Sequence, residues 1–208
     1  MIELVLIHHG LTEGNEKEKF IGATDEPLSP SGIADLHGRR YPSAGLVFCS
    51  PEKRCVQTAE ILYPAMKAVV VELLRECNYG AFENKTYHEV KRTPAYYNWI
   101  NSGGKMPFPD GEGRPEFVER TMRGLREVLA VIMRRKQKKA VLVIPSGSIM
   151  GIMSKLALPP GDYYDFQIPN GEGYVLQLNE DIFSGLSDTD EMVTKADNHC
   201  GKNYASIL

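Results

Sequence analysis

Residues 4–15 read LVLIHHGLTEGN. A run of branched apolar residues stops on two adjacent imidazoles and a glycine. An unbroken apolar run of this kind marks a strand covered on both faces, the sort that sits inside a parallel sheet. Two histidines at the end of such a strand then raise a chemical question, and the rest of the chain has to say what they face.

Working outward, the pattern alternates. Ser29 and Pro30 read as an N-cap and a first helical residue, opening a helix to about Arg40. Leu46–Cys49 reads as a second strand, Pro51 to about Leu62 as a helix, and Ala68–Val71 as a third strand. Two short helices are expected near 86–101, the second carrying Tyr96, Tyr97, Trp99 and Ile100. The glycine- and proline-rich stretch 102–114 is a loop. A long helix is predicted over 115–136, then a strand at Ala140–Ile144, a helix over Ser148–Leu158 and a last strand at Tyr174–Leu178. Residues 1–180 are thus expected to form one domain, with 181–208 as a polar C-terminal tail or appendage.

Strands alternating with helices predict an α/β fold, a three-layer α/β/α arrangement around a mostly parallel sheet. Such sheets bind ligands beyond the carboxyl ends of their strands. Four segments should therefore converge: His8-His9-Gly10, Ser50–Arg54, Leu73–Tyr79 and Pro145-Ser146-Gly147.

Composition narrows the partners. The chain has 208 residues, a formal net charge of −3, 42% hydrophobic and 25% charged residues. This is the balance of a soluble globular domain. RRKQKK at 134–139 suits the C-terminal end of a helix, and no nucleic-acid partner is expected. The opening residues carry no cationic leader and the apolar run is too short to cross a bilayer, so a cytoplasmic setting without membrane contact is expected. The four cysteines, Cys49, Cys55, Cys77 and Cys200, show no metal-site spacing. They are expected as free thiols, with no metal and no cofactor.

A neutral imidazole is a good nucleophile toward phosphorus near pH 7. It needs a cationic cradle for the phosphoryl oxygens, which an arginine fork supplies best, and an acid for the leaving oxygen. The strand ends offer His9, Arg54, Asn15 and Glu76 for these tasks.

Four ordered motifs then carry a resemblance. HHGLTEGN resembles the Arg-His-Gly-x-Thr-x-x-Asn signature of the histidine phosphatase superfamily, also called phosphoglycerate mutase-like. FIGATDEPLSPSG at 20–32, SPEKRCVQTAEIL at 50–62 and LLRECNYGAFENKTYHEV at 73–90 resemble the segments that follow in that family. The match runs from about residue 2 to 178. The resemblance implies a phosphoglycerate mutase-like fold, with His9 as the phosphorylated histidine and Glu76 as the proton donor. It implies Arg54 and Asn15 as phosphate-pocket residues, with Gly22 and Thr24 near the substrate. The pattern is closest to small α-ribazole-phosphatase-like members.

Two positions depart from the family pattern. His8 stands where the family has arginine. In VLVIPSGSIMGIM, Ser146 stands where the family has a second histidine. Losing a hydrogen bond to a charged group costs roughly 1.5–3 kcal/mol. Two impaired contacts then imply a loss of about a hundred- to ten-thousand-fold in rate. The expected function is a phosphomonoesterase acting through phospho-His9 with weakened turnover. The alternative is a degenerate member that binds a phosphorylated or anionic small molecule without turnover. A scaffold or homo-oligomer role, through the aromatic cluster or the tail, is a third alternative.

Overall fold

The structure, a computed structural model, describes residues 1–179 and 203–207. Strand β1 (Ile2–His8) is the expected apolar run. After it come a one-turn helix α1 (Glu13–Glu16), α2 (Pro30–Gly38), β2 (Leu46–Cys49), α3 (Lys53–Leu62) and β3 (Val69–Val70). Then follow α4 (Tyr87–Val90), α5 (Pro94–Asn101), α6 (Arg114–Arg134), β4 (Lys139–Ile144), α7 (Ser146–Leu156), β5 (Gly173–Leu178) and β6 (Tyr204–Ile207).

The local chemistry of the chain accounts for most of these boundaries. Thr12 and Asn15 form a reciprocal capping box that makes α1 out of four residues. The Ser29 hydroxyl accepts the Gly32 N–H at 3.1 Å, with Pro30 at the first position of α2. Helix α6 buries Phe117, Leu125, Val128, Leu129 and Ile132, which recur on one stripe at helical spacing.

The strands join in one sheet of order β3-β2-β4-β1-β5-β6. The pairs β1/β4, β2/β4 and β2/β3 are parallel, while β1/β5 and β5/β6 are antiparallel. The alternation along each strand sorts the core into two faces. Leu4, Leu6, Phe48, Leu142 and Ile144 pack with α6 and α7. Val5, Ile7, Val47, Cys49, Val141 and Val143 pack with Cys55, Ala59 and Tyr63 around α3. This is the expected α/β/α layering.

Three features differ from the sequence reading. Strand β3 is two residues long and exposed, because it is the sheet edge and has one neighbour. Strand β5 runs antiparallel to β1, so its beginning, and not its end, lies at the ligand side. Within the stretch read as a tail, residues 204–207 form β6 and pair with β5. The remainder of that stretch, 180–202 and 208, including His199 and Cys200, lies outside the described residues. Cys49, Cys55 and Cys77 are free thiols and buried.

Candidate active site

The register brings the predicted segments together. His8 pairs with Ile144 and Cys49 with Val143. The chain therefore leaves β1, β2 and β4 at neighbouring points, delivering His9, Ser50 and Ser146 to one edge. Ile7 pairs with Gly173, so the turn before β5 arrives at the same edge and carries Asn170.

The two imidazoles answer differently to their surroundings. They meet edge to face, with ring centroids 4.5 Å apart. His8 is buried, its Nδ1 is 3.1 Å from the Ile168 carbonyl and its Nε2 is 3.3 Å from the Asn170 amide nitrogen. That pattern fixes the tautomer: Nδ1–H donates and Nε2 accepts. Burial lowers its pKa to about 4, with Arg54 pushing the same way, so the ring is neutral at pH 7. The cationic help that a protonated His8 would give an anion is therefore lacking.

His9 Nδ1–H donates to the Gly10 carbonyl at 2.7 Å, which leaves Nε2 as the acceptor. Arg54 Nε–H points at that nitrogen from 3.2 Å. Burial, with His8 and Arg54 beside it, holds the His9 pKa well below the usual value. A neutral imidazole with its proton tied down on one side is a base or nucleophile on the other. Gly10 is itself fixed, its N–H donating to the Thr58 hydroxyl at 3.0 Å, and that hydroxyl donates to the Arg54 carbonyl at 2.6 Å.

Arg54 is fully buried and its fork is spoken for. Nη1 donates to the Thr24 carbonyl at 2.8 Å and Nη2 to the Gly22 carbonyl at 3.0 Å. Glu52 stands 3.5 Å from Nη2. The loop that supplies these carbonyls is held from below by Glu83. Its carboxylate accepts the N–H groups of Gly22 at 3.1 Å, Ala23 at 2.8 Å and Thr24 at 3.3 Å, and the Thr24 hydroxyl at 2.8 Å. Gly22 has to be glycine here, because a Cβ would strike the Cys77 carbonyl.

Glu76 is buried between two backbone donors, Cys77 N–H at 2.8 Å and Gly147 N–H at 3.1 Å. Burial raises its pKa to about 7 against these two bonds and Arg54, which lower it. At neutral pH the group is poised between acid and carboxylate. A side chain at Gly147 would collide with this carboxylate. Ser146 is the first residue of α7 and stands next to that contact. The Tyr163 hydroxyl donates to the Gly147 carbonyl at 3.2 Å.

Sequence reasoning did not single out four residues that shape this site. Asn170 donates to the His9 carbonyl at 3.1 Å and to Asn15 Oδ1 at 3.2 Å, so it ties Asn15 to the histidine pair. Glu52 accepts the Glu76 N–H at 2.7 Å and the Ser50 hydroxyl. Glu83 and Thr58 have been described above. Among them Thr58 and Glu52 had a local signal, lying in the same motif as Arg54.

A cavity of about 850 Å³ opens over Glu52 and Glu76, walled by Ala23, Asp25, Glu112 and Glu116. Glu112 is pinned by a two-pronged contact with Arg120, at 2.9 and 2.8 Å. His9, 3% exposed, and Arg54, 0% exposed, lie behind the 22–24 loop and do not line the cavity. Both Arg54 terminal nitrogens are turned to the carbonyls of that loop.

The fold thus brings a histidine at the tip of its first strand, an arginine that follows the second strand and a buried carboxyl to one edge of the sheet. The family model described as the histidine phosphatase superfamily (branch 1) matches residues 4–187, and the chain belongs to that family. A probable phosphoglycerate mutase GpmB of Yersinia enterocolitica is 30% identical over 174 residues, 77% of each chain. Among solved structures, the phosphoglycerate mutase from Thermus thermophilus has a TM-score of 0.67 at 26% identity, covering 85% of this chain and 93% of that one. The α-ribazole phosphatase from Shigella flexneri has a TM-score of 0.74 at 22% identity, covering 86% and 92%, and shares the fold. Among the described residues no helix is long and apolar enough to cross a membrane.

Proposed function

We propose that the protein is a phosphomonoester hydrolase working through a phospho-His9 intermediate on a phosphorylated small molecule, with turnover reduced by the chemistry at positions 8 and 146. In this reading His9 Nε2 attacks phosphorus and the ester P–O bond breaks. Protonated Glu76 gives its proton to the leaving alkoxide. Water then attacks the phosphohistidine, surrendering a proton to the Glu76 carboxylate. The P–N bond breaks, inorganic phosphate leaves and both side chains return to their starting states. Arg54 and Asn15 hold phosphoryl oxygens, with Gly22 and Thr24 beside the substrate.

The observation that carries the reading is the state of His9. Its Nδ1–H is committed to Gly10, so its Nε2 carries the lone pair and accepts from the Nε–H of a buried guanidinium. The poised Glu76 adds an acid of suitable strength. A mutase must keep its phosphohistidine shielded and cradled, and a neutral His8 with an uncharged Ser146 gives less support to that role than to hydrolysis.

One observation favours a second reading, binding without turnover. Both His8 nitrogens are engaged by the protein, so that ring brings neither charge nor a free donor to an anion. Hydrolysis of an aryl phosphate by the full chain separates the two. Activity that disappears in His9→Ala is the expected result, and activity unchanged in that variant overturns the hydrolase. No turnover by the unaltered chain, together with calorimetric phosphate binding that is lost in Arg54→Ala, establishes the second reading.

A further inference from the structure

A second hollow shares no lining residue with the cavity over Glu52 and Glu76. It is bounded by α6, the C-terminal half of α7 and residues 161–164, and encloses about 1010 Å³. Its walls carry Arg114, Arg123, Arg126 and Lys155, with Tyr163 and Tyr164 at one end and Val118 and Met122 on the floor. Two carboxylates, Glu119 and Asp162, share the rim, and Asp162 is already used to cap the turn at 163–166.

Four cations gather at this one hollow. Elsewhere Lys17, Arg39, Lys53, Arg120 and Lys139 each have a carboxylate partner within 4 Å, while exposed, dispersed cations such as Arg40, Lys67 and Arg92 have none among the described residues. Among the described residues, none lies that near to Arg114, Arg123, Arg126 or Lys155. The Nε of Arg126 is also buried with no acceptor. A buried donor left unpaired costs about 1–3 kcal/mol, more when charged, and like charges converging on one hollow repel. An anion entering the hollow offsets the repulsion. The aromatic end is arranged for a ring. The Arg114 guanidinium lies 5.7 Å from the centroid of each tyrosine, and Tyr164 is half exposed, leaving a face open to stack upon.

We propose that this groove is a second ligand site, separate from the His9 pocket, for a small polyanion that carries a flat ring, of the nucleoside-phosphate class. The phosphates meet Arg123, Arg126 and Lys155, and the ring lies on Tyr164 beside Arg114. The hollow is within the size range of small-molecule sites. Its cations outnumber its carboxylates, the reverse of the cavity over Glu52 and Glu76.

Titration calorimetry on the full chain with ADP, adenosine and inorganic phosphate as probes tests this. ADP binds one per chain, more tightly than either fragment. Removing Arg123 and Arg126 together as alanines weakens it by about tenfold or more, the usual result of deleting charge-assisted contacts. The exposed-side change Lys155→Glu weakens it too, which guards against a double variant that folds poorly. His9→Ala keeps the affinity of the parent chain. The proposal is overturned if millimolar ADP gives no binding, or if Lys155→Glu and the double variant bind as well as the parent. Loss of ADP in His9→Ala also overturns it, because the nucleotide would then sit in the catalytic pocket.

Discussion

Glu76 sits where burial and hydrogen bonding oppose each other, and burial wins. Its pKa is raised to about 7, so the protonated fraction falls as pH rises through that value. If the protonated form supplies the leaving-group proton, kcat/KM for an alkyl phosphate declines above about pH 7. In Glu76→Gln that limb vanishes and the rate drops by about 10²–10⁴. A pH profile of both proteins reads this directly, and an unchanged alkaline limb in the variant rules Glu76 out. His9, Arg54 and Glu76 were singled out by the motifs that resemble the family's, and each follows a strand end, where ligands of such sheets gather. Asn170 was not, since it precedes a strand whose antiparallel direction no local pattern announces. The state of His8 was also hidden: its neutrality comes from burial, which outweighs the opposing pull of the Ile168 carbonyl 160 positions away.

The loop at 22–24 is an element whose shape is set from a distance. Three consecutive N–H groups point at one carboxylate, Glu83, and the outward-facing carbonyls then occupy Arg54. Glu83→Ala frees the loop, at about 1.5–3 kcal/mol for hydrogen bonds to a charged group. Amide exchange at Ala23 and Thr24 accelerates in this variant, and KM for an aryl phosphate changes more than kcat does. Glu83→Asp partly restores both. Exchange rates equal to those of the parent chain would show that Glu83 is not the clamp. A lone, half-buried glutamate in an irregular segment has no period to mark it out, although Glu83 lies in the same 73–90 motif as Glu76. The same applies to α7, which starts at Ser146 and not at Ser148. Its N-terminal N–H on Gly147 is satisfied by the Glu76 side chain, a cap borrowed from 71 residues away. The apolar strands and the long helix α6, by contrast, carry their own periodicity and were legible.

At the level of the whole molecule, the buried titrating groups pull stability in two directions. His8 titrates at about 4 in the fold against 6.5 ordinarily, so the unfolded chain takes up its proton first as pH falls. That removes about 3 kcal/mol between pH 6.5 and 4, and His9 shifts in the same direction. Glu76 is the reverse. Its folded pKa of about 7 exceeds 4.5, so its contribution is complete below pH 4.5 and is lost as pH rises to 7. Between pH 4.5 and 6.5 the carboxyl therefore offsets part of the histidine effect. Urea unfolding at several pH values should show a steeper acid loss in Glu76→Gln than in the parent chain. Equal slopes would mean that Glu76 titrates normally.

Tyr163 belongs to two places at once. Its ring walls the basic groove, while its hydroxyl grips the peptide oxygen of Gly147, whose amide in turn grips Glu76. Covalent and hydrogen-bonded steps thus form a lever from one hollow to the proton donor of the other. An occupant that tilts the phenol would retune the acidity at the far end, and linkage makes such crosstalk mutual, each guest altering the other's affinity by one common factor.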